Sequence, residues 1–370
     1  MKNIIIITKS KFQKRDYDRF GVTILSKYFN IEIYDLSKIL SPISNTFYKD
    51  LNYKNLHYIN NIFHFINLLK KKNYFVAIDY LENSPYEIIF RLVLKINNIK
   101  IVKFLGGVKP KIFYGDLKFN KKINFLKNLY FSFKGVIASL LNKSFIDIVM
   151  VSAKNFFYQK SLVGSVKKKI FTNTYDYNEF LSISKNKPLK KRYFVYIDQN
   201  FINHPDFLIK KREPFVDISF YNSLEFFFRS IEKKYRIKVI ISLHPKTTLK
   251  NKIFKNYSRI SRLPTSKLIK NCTHVFAHYS TAISFAVLFK KPITFLTSNR
   301  LKKIRPGYQT KIMSELLQSQ LINIDGKIIN ITKSLDKKSY LSYEYNYVKH
   351  PNSNKKNSWI TLSEYLIKLK

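Results

Sequence analysis

The sequence predicts an α/β protein built from two domains, each with a parallel sheet covered on both faces by helices. Short apolar runs such as Ile4-Ile5-Ile6-Ile7 are separated by stretches with helical spacing, which is the pattern of buried parallel strands. The alternation restarts in the second half of the chain, after a polar and basic stretch at 182–192. A chain of 370 residues is long enough for two hydrophobic cores of ordinary size.

The first half begins with a strand at 4–8, whose four isoleucines indicate a central, fully buried position. Further strands are predicted at 31–34, 75–79, 100–105 and 147–152, and helices at 19–28, 59–69, 85–96 and 123–141. We place the end of this first domain at 181, because the segment 182–192 has the composition of a linker.

The second half repeats the pattern and is expected to form a domain at 193–345. Its strands are predicted at 193–197, 238–243, 274–277, 293–296 and 321–324, and its helices at 221–233, 264–270, 282–289 and 359–369. The tail and closing helix at 346–370 are expected to pack back on the first domain. Two such domains create a cleft, and ligands of open α/β sheets bind at the carboxyl ends of the strands.

The net charge of +44 favours an anionic partner, which could be a membrane surface, a substrate or a nucleic acid. Compositional drift explains it equally well, because lysines are spread along the whole chain. Cys272 is the single cysteine, which fits a reducing compartment. The N-terminus lacks the apolar run of a signal peptide, and no run is long enough to span a bilayer. We expect a cytoplasmic protein, peripheral on the inner face of the membrane.

Several common cofactor motifs are missing from the sequence. No G-x-G-x-x-G follows the first strand, and there is neither a phosphate-binding G-x-x-x-x-G-K-[ST] nor an H-E-x-x-H. We therefore expect neither a bound cofactor nor a metal. Any phosphate group of a ligand would then be neutralised by helix ends and by histidine, lysine or arginine side chains.

Two strand ends carry the residues expected to hold such a phosphate. His244-Pro245 ends the strand at 238–243, and Lys246 adds a positive charge. A proline there ends the strand, so the imidazole is expected to project from the sheet edge. His-Pro also occurs at 204–205 and 350–351, and an ordinary turn is the simpler interpretation of any one of them.

The second strand end is the elbow His278-Tyr279-Ser280-Thr281, which precedes an apolar helix. A helix N-terminus offers unpaired N–H groups and a partial positive charge, and Ser280 and Thr281 add hydroxyl groups. The elbow is expected to bind the phosphate through His278, Ser280 and Thr281. The alternative is that Ser280 only caps its helix.

Asp198 and Gln199 end the first strand of the second half, where a carboxylate could take a proton from an acceptor hydroxyl. A capping or linker-pinning aspartate is the alternative. The remaining residues that we expect near the acceptor or in the cleft, together with Gln199, are Arg15, Asp16, Arg19, Gly106 and Gly107.

These motifs resemble bacterial surface-polysaccharide glycosyltransferases with two Rossmann-like domains facing each other across a cleft, the GT-B architecture. The likeness rests on His244-Pro245, on the elbow with Ala282-Ile283, and on Lys291-Pro292-Ile293. The part of the chain that carries these motifs is similar to the nucleotide-binding half of sialyltransferases and Kdo-transferring capsule enzymes. The resemblance implies a CMP-activated 3-deoxy-2-ulosonic acid donor, such as sialic acid or Kdo, and a capsule, lipopolysaccharide or other glycan or glycolipid acceptor. It also implies that His244-Pro245 contacts the donor phosphate.

The resemblance implies Asp198 as the catalytic base. Several sialyltransferases have an acidic pair followed by glycine, whereas this chain has Asp198-Gln199-Asn200. The same elbow resembles teichoic-acid glycerophosphotransferases that use CDP-glycerol, which is the second hypothesis. A basic nucleic-acid-binding protein is the third, although no nucleic-acid motif is present and the charge is not concentrated, so no nucleic acid is expected as a partner.

Overall fold

The structure, a computed structural model, describes residues 1–42, 49–82, 84–107, 110, 144–155, 166, 168–185, 192–204, 207, 213–245, 253–254, 257, 259–326 and 330–369. The chain forms two compact units, one comprising Met1–Tyr175 with His350–Lys370 and the other Asp176–Lys349. Each unit is built on one parallel sheet with helices, so the predicted α/β fold with two Rossmann-like domains is confirmed.

The first unit contains a seven-stranded sheet in the order β3-β2-β1-β4-β5-β6-β7. Its strands are β1 Asn3–Thr8, β2 Asn30–Asp35, β3 Leu56–Tyr58, β4 Tyr74–Tyr80, β5 Lys100–Leu105, β6 Ile148–Val151 and β7 Lys168–Phe171. All neighbouring pairs are parallel. The four isoleucines of β1 are fully buried, because helices cover both faces of the sheet at its centre.

The helices of the first unit lie on both faces of this sheet. They are α1 Lys14–Arg19, α2 Val22–Leu25, α3 Ser37–Leu40, α4 Ile62–Lys70, α5 Pro85–Ile96 and the C-terminal helix, called α12 here, Ser358–Lys368. Apolar residues of α4 and α5 share one core, and those of α2 and α12 share the core on the other face.

The predicted helix at 19–28 is interrupted at Gly21. This residue has a left-handed φ of 75°, and a Cβ placed on it would lie 2.2 Å from the ring of Trp359. Trp359 is 1% exposed, and its indole N–H donates to the carbonyl oxygen of Arg19 at 3.1 Å. The break between α1 and α2 therefore makes room for a tryptophan that comes from the other end of the chain.

The second unit contains a six-stranded sheet in the order β10-β9-β8-β11-β12-β13. Its strands are β8 Tyr193–Ile197, β9 Lys238–Ser242, β10 Ile260–Ser261, β11 His274–Ala277, β12 Ile293–Thr297 and β13 Gln320–Asn323. Helix α6, Tyr175–Ser184, lies in this unit except for its first residue, which belongs to the first unit. The other helices are α7 Ile218–Tyr235, α8 Thr265–Asn271, α9 Ile283–Leu288, α10 Arg305–Leu316 and α11 Lys337–Tyr343, with a 3₁₀ turn at Leu301–Lys303 and a π-helical turn at Glu344–Val348.

Several boundaries differ from the sequence-based prediction. The second unit begins at Asp176, and residues 182–184 of the predicted linker form the end of α6. The first four residues of the predicted tail belong to the second unit, whereas His350–Lys370 belong to the first. The predicted helix at 123–141 lies outside the described residues.

The sequence missed helix α10, because Arg305-Pro306-Gly307 has the composition of a turn. Proline is tolerated in the first turn of a helix, where N–H groups lack intrahelical partners. A Cβ on Gly307 would lie 1.9 Å from the carbonyl oxygen of Leu301, so the glycine allows close packing rather than a turn. None of the helices in the described ranges has the length and hydropathy that crossing a bilayer requires.

Candidate functional site

The sheet of the second unit has a topological switch point between β8 and β11. In order along the chain its strands are arranged 3-2-1-4-5-6, which is the doubly wound Rossmann order. The chain leaves β8 toward β9 on one side and later returns to β11 on the other. The loops after these two strands therefore diverge and leave a crevice at the carboxyl edge of the sheet, where ligands of such sheets bind. We call this edge the carboxyl edge.

Asp198 follows β8 at the carboxyl edge and is 2% exposed. The backbone N–H of Asn200 donates to its Oδ1 at 3.0 Å, and that of His244 donates to its Oδ2 at 3.3 Å. The carboxylate thus ties the end of β8 to the end of β9. This geometry gives Asp198 a positioning role, and its action as a base remains a prediction.

His244 lies next to a second histidine, His204, which was not predicted as a site residue from the sequence. The ring centroids of His244 and His204 are 4.9 Å apart, with the rings inclined by 58°. Both are half-buried, and each precedes a proline. The repeated His-Pro was the available signal, but it could not show that the two loops meet. Pro245 is exposed, and the predicted ligand Lys246 lies outside the described residues.

The prediction that His278 binds a phosphate is not supported. Its ring is fully buried, and Nδ1–H donates to the carbonyl oxygen of Leu296 at 2.6 Å. Nε2 therefore accepts from the hydroxyl of Tyr196 at 3.1 Å. Burial lowers the pKa of His278 to about 4, so the ring is neutral near pH 7. It packs against Phe201 and Phe220 and belongs to the core.

The elbow before α9 differs from the predicted helix-end cradle. The N–H of Ala282 donates to Oγ of Ser280 at 3.2 Å, and the N–H of Ser284 donates to the carbonyl oxygen of Thr281 at 3.1 Å. These N–H groups are used within the turn, and α9 has only six residues. What the elbow offers to a ligand is hydroxyl groups, since Ser280 is half-buried and Thr281 is exposed.

Three buried polar atoms at the carboxyl edge have no hydrogen-bond partner among the described residues. They are Oε1 of Gln199, Nδ2 of Asn200 and Oγ1 of Thr297. Asn200 is fully buried and has a left-handed φ of 50°. Buried polar atoms in folded proteins are rarely left without a partner, so these three mark a place for a water or ligand group.

A surface pocket of about 690 Å³ lies beside the end of β8. Asp217 caps α7 by accepting from the N–H of Ser219 at 3.1 Å, and it pairs with Arg300. The described residues that line the pocket are Ile202, Asn203, Glu213, Pro214, Val216, Asp217, Ile218, Ile253 and Arg300. None of them was predicted as a site residue from the sequence, because the loops after β8, β9 and β12 meet only in the fold.

The predicted acceptor residues in the first unit have mostly structural contacts. Asp16 is buried, and its Oδ2 accepts from the N–H of Gln13 at 2.9 Å; burial raises the pKa of Asp16. The Nε of Arg15, which is exposed, is 3.7 Å from Oδ1 of Asp16. The guanidinium of Arg19 lies 4.3 Å from the ring centroid of Tyr175.

The two predicted glycines differ from each other. Gly106 is crowded, because a Cβ there would lie 2.5 Å from Phe104 and 2.6 Å from Tyr175. Among the described residues, no atom lies within 4 Å of such a Cβ on Gly107. Of this pair, only Gly107 is free of contacts from the part of the chain that the structure describes. In the described parts of the chain, no group of three or more histidine, cysteine, aspartate or glutamate side chains is placed to hold a metal ion.

No family model and no curated protein matches the chain. Among solved structures it is similar to UDP-GlcNAc 2-epimerase from Methanocaldococcus jannaschii, at 14% sequence identity over 99% of this chain and 100% of that chain, with a TM-score of 0.52. The chain has the GT-B fold. Two weaker likenesses each have a TM-score of 0.49. One is to MurG from Acinetobacter baumannii, at 6% identity over the full length of both chains. The other is to a putative UDP-N-acetylglucosamine 2-epimerase from Listeria monocytogenes, at 12% identity over 98% of this chain and 91% of that chain. At 14% identity, the likeness to the Methanocaldococcus jannaschii enzyme shows the fold alone.

Proposed function

We propose that the protein is a glycosyltransferase that moves a sugar from a nucleotide-activated donor to a surface glycan or glycolipid. The donor nucleotide binds at the carboxyl edge of the second unit. The observation that carries this proposal is the switch point between β8 and β11, with polar residues at the ends of β8, β9 and β11. Parallel strands are about 4.8 Å apart, so the ends of β9 and β11 are separated by about 10 Å, which suits the phosphate and sugar of one donor.

In the proposed reaction, an acceptor hydroxyl oxygen attacks the anomeric carbon of the sugar. The bond from this carbon to the phosphate oxygen breaks, and the nucleotide leaves with the electron pair. His204 and His244 hold the phosphate and stabilise the charge that develops on it. The hydroxyl groups of Ser280 and Thr281 donate hydrogen bonds to the same nucleotide. The proton of the acceptor hydroxyl passes to a base, for which the resemblance to sialyltransferases suggests Asp198.

Asp198 has a second role in this proposal. Because its carboxylate accepts backbone N–H groups from two loops, it fixes the segment that carries Gln199 and the segment that carries His244. Asp198→Asn distinguishes the roles. A base would lose turnover by orders of magnitude with donor affinity unchanged, whereas a positioning residue would lose both together.

For the donor we propose a CMP-activated 3-deoxy-2-ulosonic acid, on the resemblance of the His-Pro strand end and the Ser-Thr elbow to CMP-sugar enzymes. The epimerase with the same fold acts on UDP-GlcNAc, as its name states. The test is a panel of CMP-sugars, UDP-sugars and CDP-glycerol, measured by thermal protection and by turnover. We expect CMP-sugars to raise Tm and to release CMP with an acceptor present.

The outcomes of the panel separate the hypotheses. If only UDP-sugars raise Tm, the donor is a UDP-sugar rather than a CMP-sugar, and the proposed glycosyltransferase activity stands. Turnover of CDP-glycerol would establish the glycerophosphotransferase instead. No effect of any nucleotide, combined with tight and salt-sensitive binding to DNA, would contradict the proposed function.

Matched variants locate the site. Ser280→Ala with Thr281→Val removes two hydroxyls at the carboxyl end of β11. Thr273→Val removes one exposed hydroxyl at the amino end of the same strand, which donates to the carbonyl oxygen of Tyr193 at 3.2 Å. The double variant should weaken donor binding about tenfold, at roughly 0.5–1.5 kcal/mol per lost hydrogen bond, and the control should not.

A further inference from the structure

The outer face of α5 in the first unit is apolar. Tyr86, Ile89, Leu92 and Ile96 are 79%, 48%, 44% and 70% exposed. They follow each other at intervals of three or four residues, so they form one stripe along the helix. The opposite face of α5 is buried: Phe90 and Leu94 pack in the core, and the charged residues Glu87 and Arg91 are buried as well. An exposed apolar stripe of this kind on a protein surface marks an interaction site.

The amino edge of the same sheet, at which its strands begin, is strongly basic. We call it the basic edge, and its exposed lysines precede or begin the strands: Lys2, Lys27, Lys70, Lys71, Lys72, Lys100, Lys168 and Lys169. Two carboxylates near this edge are already paired, Glu32 with Lys72 and Asp147 with Lys95. The edge therefore presents excess positive charge.

The apolar stripe ends at the basic edge. Because α5 connects two parallel strands, it runs antiparallel to them, and its last residue Ile96 lies where β5 begins at Lys100. The preceding crossover helix α4 ends the same way, with Lys70, Lys71 and Lys72 just before β4. Its residue Phe63 is 73% exposed, but it lies in the first turn of the helix, at the opposite end from these lysines.

We propose that the stripe and the basic edge together form a docking surface for an anionic lipid bilayer. Apolar side chains enter the boundary between headgroups and acyl chains, while the lysines contact anionic headgroups. This combination favours a bilayer over other partners. A nucleic acid would use the lysines and leave the apolar stripe exposed, and a second copy of this chain would bring lysines against lysines. The proposal does not depend on the proposed function, because donor binding is assigned to the other unit.

The test is sedimentation of the full chain with vesicles of phosphatidylcholine, with and without phosphatidylglycerol. We expect binding only to the vesicles that contain phosphatidylglycerol. Ile89→Gln with Ile96→Gln, and separately Lys71→Gln with Lys100→Gln, should each weaken the partition about tenfold. Higher salt should weaken binding of the first variant and of the unchanged protein alike.

Phe226→Gln is the matched control, since Phe226 is 67% exposed on α7 of the second unit. It should bind vesicles as the unchanged protein does. All variants are at exposed positions, and an unchanged Tm verifies that each is folded. Equal binding to both kinds of vesicle, no binding, or no effect of the isoleucine variant would overturn the proposal. A dimer that dissociates in that variant, measured by light scattering, would assign the stripe to a second copy and would also overturn it.

Discussion

His204 and His244 approach each other from the loops after β8 and β9, with ring centroids 4.9 Å apart. An imidazole N–H can donate a hydrogen bond to a phosphate oxygen, and two rings at this separation can donate to the same phosphate group. The pair is therefore suited to a ligand that carries a phosphate. It also connects two His-Pro dipeptides that are separated by forty residues in the chain.

The first prediction concerns this pair. His204→Ala and His244→Ala should each lower kcat by roughly 10²-fold, because each removes a group that stabilises charge on the leaving phosphate. The double variant should lose little more than either single variant, since residues that act as a unit are not additive. Turnover of the nucleotide donor is the measurement. His64→Ala on α4 is the control, and a full loss of activity in that variant would contradict the assignment.

The second prediction concerns the pH dependence of stability. Burial lowers the pKa of His274 and of His278 to about 4, from about 6.5 in the unfolded chain. The unfolded state therefore binds more protons between these values, and stability rises with pH in this window. The stability contributed by the neutral histidines is fully present above about pH 6.5. It is lost as the pH falls toward 4, by up to about 3 kcal/mol per histidine.

Urea unfolding at pH 7 and at pH 5 measures this effect. The variant with His274→Gln and His278→Gln should be less stable at pH 7, because the buried hydrogen bonds change, but it should have a flatter pH dependence. If the unchanged protein and this variant lose the same stability between pH 7 and pH 5, the buried neutral histidines are not the cause.

The third prediction compares two glycines. Gly21→Ala should destabilise the protein by about 2 kcal/mol or more, because its φ is left-handed and the new Cβ meets the ring of Trp359. Gly107→Ala should change stability by less than about 0.5 kcal/mol, because its Cβ meets no described residue within 4 Å. Thermal or urea unfolding of the two variants gives the comparison. If the two variants lost equal free energy of unfolding, contact between a Cβ at position 21 and Trp359 would not be what restricts this position to glycine.

The fourth prediction compares two ion pairs. Nε of Arg91 lies 2.7 Å from Oδ2 of Asp79, and both side chains are at most 1% exposed. Arg91→Met should cost about 3–5 kcal/mol, because it leaves a buried carboxylate with less compensation. Lys103 also contacts Asp79, at 3.5 Å, and its remaining charge reduces the loss toward the lower figure.

The control for this ion pair is Arg300→Met in the second unit. Arg300 pairs with Asp217, but both side chains are about half exposed. Exposed pairs contribute about 0–1 kcal/mol, so this variant should unfold close to the unchanged protein. A large loss for Arg300→Met, or a negligible one for Arg91→Met, would contradict the assignment of buried and exposed charge.

The sequence by itself determined the architecture of this protein. Runs such as Ile4–Ile7 can only be satisfied by a strand that is buried on both faces, and helical spacing between such runs requires crossover helices. This local information was enough to predict two α/β domains and to predict site residues at the strand ends after β8, β9 and β11. It also identified His244, Asp198 and Ser280 as residues at one edge of a sheet.

The tertiary structure decided what each of these side chains contacts. His278 follows a strand just as His244 does, but it turns into the core between Leu296 and Tyr196, whereas His244 meets His204. Spacing along the chain cannot separate these cases, because both partners come from other strands and loops. Likewise, Trp359 breaks a predicted helix from the far end of the chain, through a contact that no local pattern contains. Local periodicity sets which elements form, but only long-range packing decides which polar groups are left facing a ligand.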